Sequence, residues 1–253
     1  HVVHFAEQYQ PTRALIGRVL RRFGVASTML SIDDLEGLER ALAATPTRLV
    51  VFESPTNPAL KIADIERLTA SARRHGALTL LDNTLAGLHN HGQFDVDLFA
   101  HSLTKYASGH GDVMGGAVIG RAELIDSMRD DVSILGPTLD PHAAFLLQRG
   151  MKTYFVRWDA QCRNALRVAE HLAQHPRVER VRQVGALEAR AASALQCAIA
   201  VSVIQRSSRP SPSASRASLA AKHQRTKPSP SGPNALPGAS PSPASRTSRL
   251  QKS

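Results

Sequence analysis

Three short polar segments of the chain carry the residue types that could perform chemistry. They are residues 53–58 (Glu-Ser-Pro-Thr-Asn-Pro), 82–84 (Asp-Asn-Thr) and 101–106 (His-Ser-Leu-Thr-Lys-Tyr). Carboxylate, amide and hydroxyl groups can hold a charged cofactor, and a lysine amine can bond covalently to a carbonyl compound. Taken singly, such residues are common in loops, where Asp caps helices and Lys is a solvated charge. Their combination indicates a site.

The elements that would position these segments alternate between strand-like and helix-like patterns, which is typical of an α/β domain with a largely parallel sheet. Helical spacing ends at Gly24 and Gly76, and Asp33-Asp34 marks a helix N-terminus. Each polar segment follows a predicted strand, where open α/β sheets bind ligands. Strands are predicted at 49–52, 78–81, 96–100 and 113–119, and helices over 11–23, 35–42, 65–75, 145–156 and 165–172.

The net charge of +10 arises almost entirely from the C-terminal part of the chain. Residues 186–253 contain 10 Lys or Arg and one acidic residue, leaving 21 basic and 20 acidic residues in 1–185. This Ser/Pro/Ala/Arg-rich segment cannot bury enough apolar surface to offset its ordering entropy, so we expect a mostly disordered tail. An apolar stretch at 191–204 is the exception, as a helix or an exposed remnant. Without aromatic residues for base stacking, the tail does not favour nucleic acid as a partner.

The amino-acid composition indicates a globular protein and argues against membrane-spanning and metal-binding classes. With 42% hydrophobic residues the chain can bury a core, and no run of about 18 apolar residues predicts a membrane span. Cys162 and Cys197 lack metal-ligand spacing and suggest a reduced compartment. We therefore expect a cytoplasmic location, no membrane partner and no metal site.

The lysine segment has the most specific motif. Ser-Leu-Thr-Lys-Tyr at 102–106 is followed by Gly109-His110, Asp112 and Gly115-Gly116. Together with segments 53–58 and 82–84, and with 146–153 (Leu-Leu-Gln-Arg-Gly-Met-Lys-Thr), it resembles the transsulfuration family of pyridoxal-5′-phosphate (PLP) enzymes. That family includes cystathionine synthases and lyases, methionine γ-lyase and the O-acyl-homoserine sulfhydrylases. The resemblance extends from residue 1 to about 185.

The resemblance implies a role for each matching residue. Lys105 would bind PLP covalently and move protons during catalysis, and Tyr9 would stack on the cofactor ring as the second catalytic residue. PLP is the implied cofactor, an electron sink for charge developed at the substrate Cα. The implied cofactor contacts are Asp82 at the pyridine nitrogen, Ser102 and Thr104 at the phosphate, Asn57 at the phenolic oxygen, and Thr84. Tyr9 is followed by Gln10-Pro11, where the family commonly has two glycines.

The resemblance also implies the fold and its limits. We expect a fold-type I PLP-dependent transferase-like large domain with a mostly parallel sheet over 1–155, lacking its N-terminal part. Residues 156–185 would start a truncated small C-terminal α/β domain, and 186–253 would be the tail. Relatives carry an N-terminal arm, a phosphate-binding turn and a carboxylate-binding arginine that have no match here. We therefore expect a fragment whose tail arose by a change of reading frame.

Two functions of different class remain open on the sequence. The first is PLP-dependent elimination or replacement on a sulfur-containing amino acid, impaired in this chain by the missing segments. The second is a non-catalytic remnant of the PLP fold. Synthase, lyase and sulfhydrylase share the quoted residues, so the sequence leaves them unresolved. Intact relatives are expected to be homo-oligomers.

Overall fold

A six-stranded sheet forms the centre of the molecule. The computed structural model describes residues 1–90, 92–183 and 201–205. Its strand order is β2-β1-β3-β4-β5-β6, with β6 antiparallel to β5 and all other neighbours parallel. This confirms the predicted α/β class with a mostly parallel sheet. The strands are β1 (Val2–Phe5), β2 (Ser27–Leu30), β3 (Leu49–Glu53), β4 (Leu78–Asp82), β5 (Leu98–Ser102) and β6 (Gly116–Gly120).

Strands β1 and β2 were missed by the sequence analysis. β1 is only four residues long, and the polar His4 interrupts its apolar run, yet all four side chains are buried. β2 lies at the sheet edge and alternates exposed with half-buried residues. Neither strand is long enough to give a clear apolar pattern.

Among the described residues, six segments form α-helices. They are α1 (Gln10–Ala14), α2 (Leu35–Ala44), α3 (Ile65–Arg74), α4 (Ala122–Leu135), α5 (Pro141–Met151) and α6 (Tyr154–Ala173). Helical turns continue α1 to Gly24, whose φ of 81° ends the segment as predicted. Asp34 and Asp64 cap α2 and α3 by accepting hydrogen bonds from Gly37 N and Arg67 N.

The predicted helix at 145–156 is interrupted, the predicted helix at 165–172 is the C-terminal part of the longer α6, and α4 was not predicted. The chain leaves helical geometry at Thr153, where φ is −110° and ψ is 11°, so one helix ends before this residue and the next begins after it. The second helix then runs for 20 residues without interruption. Apolar spacing continues across Thr153, and therefore the sequence pattern could not reveal the break.

The two faces of the sheet bury different sets of side chains. Val3 and Phe5 of β1 pack in the main core with Leu38 of α2 and Leu68 of α3, all fully buried. Side chains with the opposite alternation, including Val2 and Val51, pack against Ile16 and other residues of the α1 segment. This double burial holds the strand ends in fixed register.

A separate two-stranded antiparallel sheet follows α6. It pairs β7 (Val178–Gln183) with β8 (Val201–Gln205). β8 falls within the segment predicted to be a tail; β-branched Val201, Val203 and Ile204 favour a strand there. The rest of that predicted tail, 186–200 and 206–253, lies outside the described residues. The domain limits 1–155 and 156–185 stay predictions. In the described part of the chain, no helix is both long and apolar enough to cross a membrane.

Candidate active site

The carboxyl ends of three neighbouring parallel strands bring polar side chains to one edge of the sheet. Glu53, Asp82 and Ser102 are the last residues of β3, β4 and β5, and Glu53 is in register with Asp82. A cavity of about 610 Å³ opens at this edge. All seven residues predicted to bind the cofactor line the cavity: Tyr9, Asn57, Asp82, Thr84, Ser102, Thr104 and Lys105. Glu53, Tyr106, Met114 and Gln161 line it as well.

Two carboxyl groups lie side by side in the cavity. Glu53 is 5% exposed, and burial together with the neighbouring charge of Asp82 raises its pKa to about 8. Burial also raises the pKa of Asp82, against the opposing effect of its hydrogen bonds from Thr84. The sequence analysis did not assign Glu53 to the site. A carboxylate ending a buried strand, as Asp82 does, was the signal that could have found it.

Thr84 connects Asp82 to the end of β5. Its backbone N and Oγ1 donate to Asp82 Oδ1 at 3.0 and 2.6 Å, and the same hydroxyl oxygen accepts a hydrogen bond from Ser102 N at 3.0 Å. The hydroxyl is therefore engaged with the protein itself. Its position suits holding Asp82 in place.

Tyr9 stands at the N-terminus of α1, on the loop after β1. Its backbone N donates to Glu53 Oε2 at 2.6 Å, and its side chain is 47% exposed. Pro11 occupies the first turn of the helix, a position that tolerates proline because the amide there has no helical acceptor. The Gln10-Pro11 pair is thus compatible with a tyrosine at the cavity.

Lys105 lies in a single turn, Leu103–Ala107, that directly follows β5. Hydrogen bonds from Ser108 N to Leu103 O and from Gly109 N to Lys105 O close this turn. Thr104 Oγ1 accepts from Gly115 N at 2.9 Å and faces Gly115 O at 3.3 Å, which ties the turn to the start of β6. The side chain of Lys105 is exposed at the cavity and makes no hydrogen bond or ion pair with any described residue.

The other lysines of the described region differ from Lys105. Lys61 donates to Glu7 Oε1 at 2.9 Å and also pairs with Asp33, so its amine is committed to an ion-pair network. Lys152 lies between α5 and α6 and is not a cavity residue. Lys105 alone among them lines the cavity.

Helices α5 and α6 support the lysine turn from outside the sheet. Arg157 donates to Tyr106 O at 2.9 Å, to Ala107 O at 3.3 Å and to Gly150 O at 2.9 Å. A Cβ added at Gly150 would lie 2.2 Å from Ser108 O, so the two backbones are in direct contact. This role of Arg157 was not predictable from its sequence position, because an arginine on an amphipathic helix usually faces solvent.

An aromatic cluster on α6 holds the loop after Asp82. Tyr154 Oη accepts a hydrogen bond from Leu88 N at 2.9 Å and lies 3.0 Å from His89 Nδ1. Trp158 packs so closely on Gly87 that an added Cβ would lie 2.7 Å from its ring. The φ of 91° at Gly87 also favours glycine.

Comparison with known proteins identifies the family to which this fold and site belong. A family model described as Cys/Met metabolism PLP-dependent enzyme matches residues 1–197. The chain therefore belongs to the Cys/Met metabolism PLP-dependent enzyme family. It is 40% identical over 181 residues to L-methionine gamma-lyase of Pseudomonas putida and 38% identical over 183 residues to cystathionine gamma-synthase 1 of Arabidopsis thaliana.

Solved structures agree with this assignment. Cystathionine gamma synthase from Xanthomonas oryzae, in complex with cystathionine, superposes with a TM-score of 0.74 at 32% identity over 82% of this chain and 55% of that chain. A putative O-acetylhomoserine (thiol)-lyase from Campylobacter jejuni, bearing N′-pyridoxyl-lysine-5′-monophosphate, gives a TM-score of 0.66 at 32% identity over 72% of this chain and 53% of that chain.

The chain matches only part of its relatives. The aligned region covers 70% of this chain and 45% of the Pseudomonas protein, and 72% of this chain and 32% of the Arabidopsis protein. It thus spans less than half the length of these two curated relatives. The activity of a whole relative is accordingly a proposal for this chain.

The cavity has the chemical character that PLP requires. Two neighbouring buried carboxyl groups, Glu53 and Asp82, suit a protonated ring nitrogen, since a cation stabilises their ionised forms. Gln161 Oε1 is buried with no hydrogen-bond partner in the described part of the chain, which leaves an acceptor for a ligand. The cavity volume lies within the usual range for small-molecule sites, roughly 300–1,000 Å³. No cluster of three or more potential metal ligands occurs among the described residues.

Proposed function

We propose that this chain contains the PLP-binding site of an enzyme that eliminates or replaces a group on a sulfur-containing amino acid. The observation that carries the proposal is the convergence of Lys105, Asp82 and Glu53 on one cavity at the carboxyl edge of the sheet. The family match and the activities in the names of the relatives support it. The substrate class is a small amino acid.

Different cavity residues would hold different parts of the cofactor. Lys105 would bind it covalently, and Asp82 would keep the ring nitrogen protonated. The remaining contacts we propose are Ser102 and Thr104 to the phosphate, Asn57 to the phenolic oxygen and Tyr9 to the ring face. Thr84 would act through Asp82, to which it donates two hydrogen bonds.

Catalysis requires a group that moves a proton at the substrate Cα. When bound, PLP supplies the electron-withdrawing ring that makes this proton acidic enough to remove. Lys105 would leave the cofactor when the amine of the substrate replaces it there. The Lys105 amine makes no hydrogen bond or ion pair with any described residue, so once released it could accept the proton and return it. Arg157 and Gly115 fix its turn, which holds the backbone of Lys105 beside the cavity.

The wider context of the site is also a proposal. We propose a cytoplasmic enzyme that assembles as a homo-oligomer, with residues 1–155 as its cofactor domain and 156–185 as the start of a small domain. The basic segment 186–253 has no role in the proposed reaction.

Covalent labelling tests the assignment of Lys105. The full chain is incubated with PLP, reduced with borohydride and mapped by peptide mass spectrometry. We expect the pyridoxyl group on Lys105, and its loss in Lys105→Arg. Lys61→Arg and Lys152→Arg serve as matched controls and should retain the label. A label that persists on another lysine in Lys105→Arg would overturn the assignment.

Turnover separates an enzyme from a non-catalytic remnant. The chain loaded with PLP but not treated with borohydride, and a full-length relative, are assayed with cystathionine, methionine and O-acetylhomoserine. We expect Asp82→Asn in the relative to reduce kcat/KM by at least about 100-fold with little loss of stability, because an amide does not keep the ring nitrogen protonated. Near-native turnover of that variant would refute the role of Asp82. Labelling without turnover in this chain would favour the remnant.

A further inference from the structure

We propose that Glu53 is a positioning residue of this site, one that fixes the backbone of Tyr9 at the cavity and completes, with Asp82, a two-carboxylate receptor for a cationic ring. The inference rests on the proposed function only for the identity of the ring. Glu53 touches no substrate in this proposal; it acts through the residues that do.

The hydrogen bond of Glu53 joins two separate segments of the chain. Its Oε2 accepts from Tyr9 N at 2.6 Å, across 44 residues of sequence. Tyr9 follows β1, and Glu53 ends β3. The backbone N–H of Asn57, in the loop after β3, also favours the ionised carboxylate and lowers its pKa. Glu53 therefore sets the position of Tyr9 at the cavity.

The location of Glu53 makes it the least movable part of the site. It ends β3, a central strand paired on both sides by β1 and β4, and it is 5% exposed. The preceding residues Val50 and Phe52 are fully buried in the main core. Any displacement of Glu53 would disturb that packing, so contacts made to it are held firmly.

The charges around Glu53 indicate that this residue does more than anchor a backbone group. Glu53 faces Asp82 on β4, and neither residue forms an ion pair within the described part of the chain. Lys105 and Tyr106 are the other titratable side chains at the cavity besides Tyr9. A neutral amide could anchor the backbone of Tyr9 without the cost of burying a second carboxyl beside Asp82. A cation in the cavity would offset that cost.

The pair predicts a linkage between ligand binding and protons. Burial and the charge of Asp82 raise the pKa of Glu53 to about 8, so the ligand-free site holds its proton at neutral pH. A cationic ring beside both carboxyl groups favours the ionised form and expels that proton. Binding of the cation should then strengthen as pH rises towards 8 and level off above it.

A ligand-free measurement tests the contacts apart from the proposed function. Backbone amide resonances of Tyr9 and Asn57 are followed by NMR in the full chain from pH 6 to 9. Both should shift with one shared midpoint near that pKa, and the shared shift should vanish in Glu53→Gln but persist in Glu123→Gln, an exposed control on α4. Independent midpoints, or no shift in the wild-type chain, would overturn the proposal.

A binding measurement tests the receptor role. The dissociation constant of PLP is measured by absorbance over the same pH range for the wild-type chain, Glu53→Gln and Glu123→Gln. At pH 8 we expect Glu53→Gln to raise the dissociation constant of PLP roughly tenfold. Because one proton is linked to binding, this difference from the wild-type chain should shrink below pH 8, by up to about tenfold for each pH unit. Parallel pH profiles for all three proteins would refute the receptor role.

Two outcomes keep the inference separate from the proposed function. If PLP fails to bind the wild-type chain, the proposed function fails while the amide titration still decides the contacts. If Glu53→Gln fails to fold, ¹³C-glutamate carboxyl shifts of the wild-type chain replace it. One carboxyl resonance should then titrate near the pKa of Glu53, and its midpoint should move to lower pH when PLP is added. A midpoint that does not change with PLP would contradict the receptor role.

Discussion

The sheet edge and the helices α4 to α6 build the two sides of this molecule in different ways. At the sheet edge, the site residues stand on strands whose side chains are buried on both faces. The helices touch the site at a few points and leave large apolar side chains exposed, including Ile134 at 81%, Val156 at 74% and Phe155 at 62%. The central strands of the sheet are packed on both faces, whereas the outer helical side has apolar surface that no described residue covers.

This difference assigns distinct roles to the two regions. The strands fix the carboxyl groups, and the helices fix the lysine turn through Gly150 and Arg157. Substitutions at the points of contact should therefore couple the regions strongly, and substitutions on the outer helical face should affect association more than folding.

The largest effect is expected at Gly150, where α5 meets the lysine turn. Gly150→Ala places a Cβ 2.2 Å from Ser108 O, and neither backbone can move without repacking. We expect a loss of about 3 kcal/mol in the free energy of unfolding, measured by denaturant titration. Gly17→Ala is the matched control, because no atom lies within 4 Å of its Cβ, and it should be neutral or slightly stabilising. Equal effects at the two glycines would contradict the close contact.

A smaller loss is expected at Arg157. Arg157→Ala removes hydrogen bonds to three carbonyl oxygens and should lower the free energy of unfolding by about 2 kcal/mol. Arg157→Lys keeps the charge but not the planar fork, so it should recover only part of the loss. Slower pyridoxyl labelling of Lys105 in Arg157→Ala should accompany the destabilisation. Full rescue by lysine would show that charge alone matters.

The buried carboxyl group gives a pH-dependent effect on the sheet side. Because the pKa of Glu53 is about 8 in the folded chain and 4.5 for an unperturbed glutamate, the contribution of Glu53 to stability is fully present below pH 4.5 and lost as pH rises through 8. The stability of the wild-type chain relative to Glu53→Gln should fall by at most about 1.4 kcal/mol per pH unit within that window. Thermal melts at pH 5, 6, 7 and 8 measure it, and a pH-independent difference would contradict the burial argument.

The smallest effect on folding is expected on the exposed helical face. Val156→Ser should change the free energy of unfolding by no more than about 0.5 kcal/mol, since the residue is 74% exposed. It should reduce self-association of the chain, which sedimentation velocity can measure. The buried residue Tyr154 provides the contrast: Tyr154→Phe removes the hydroxyl that accepts a hydrogen bond from Leu88 N and should cost about 0.5 to 1.5 kcal/mol. If Val156→Ser is the more destabilising of the two, the assignment of this face as uncovered is wrong.

Sequence patterns alone determined the α/β class, the strands that end near Asp82 and Ser102, and the three polar segments that meet at the cavity. These follow from local information: buried parallel strands are continuous apolar runs, and polar residues directly after them lie at one sheet edge. The resemblance to a known family added Tyr9, the selection of the seven cofactor residues, and the roles of Lys105 and Asp82, which no spacing rule gives.

Only the tertiary structure decided the rest. Three sets of contacts join residues that are distant in sequence: the pairing of Glu53 with Asp82, the hydrogen bond from Tyr9 N to Glu53, and the contacts of Arg157 and Gly150 with the lysine turn. Likewise, the break at Thr153 between α5 and α6 is not marked by any change in apolar spacing. The physical reason is the same in each case: burial, register and close backbone approach depend on what the rest of the fold places nearby, and a sequence pattern records only what is near along the chain.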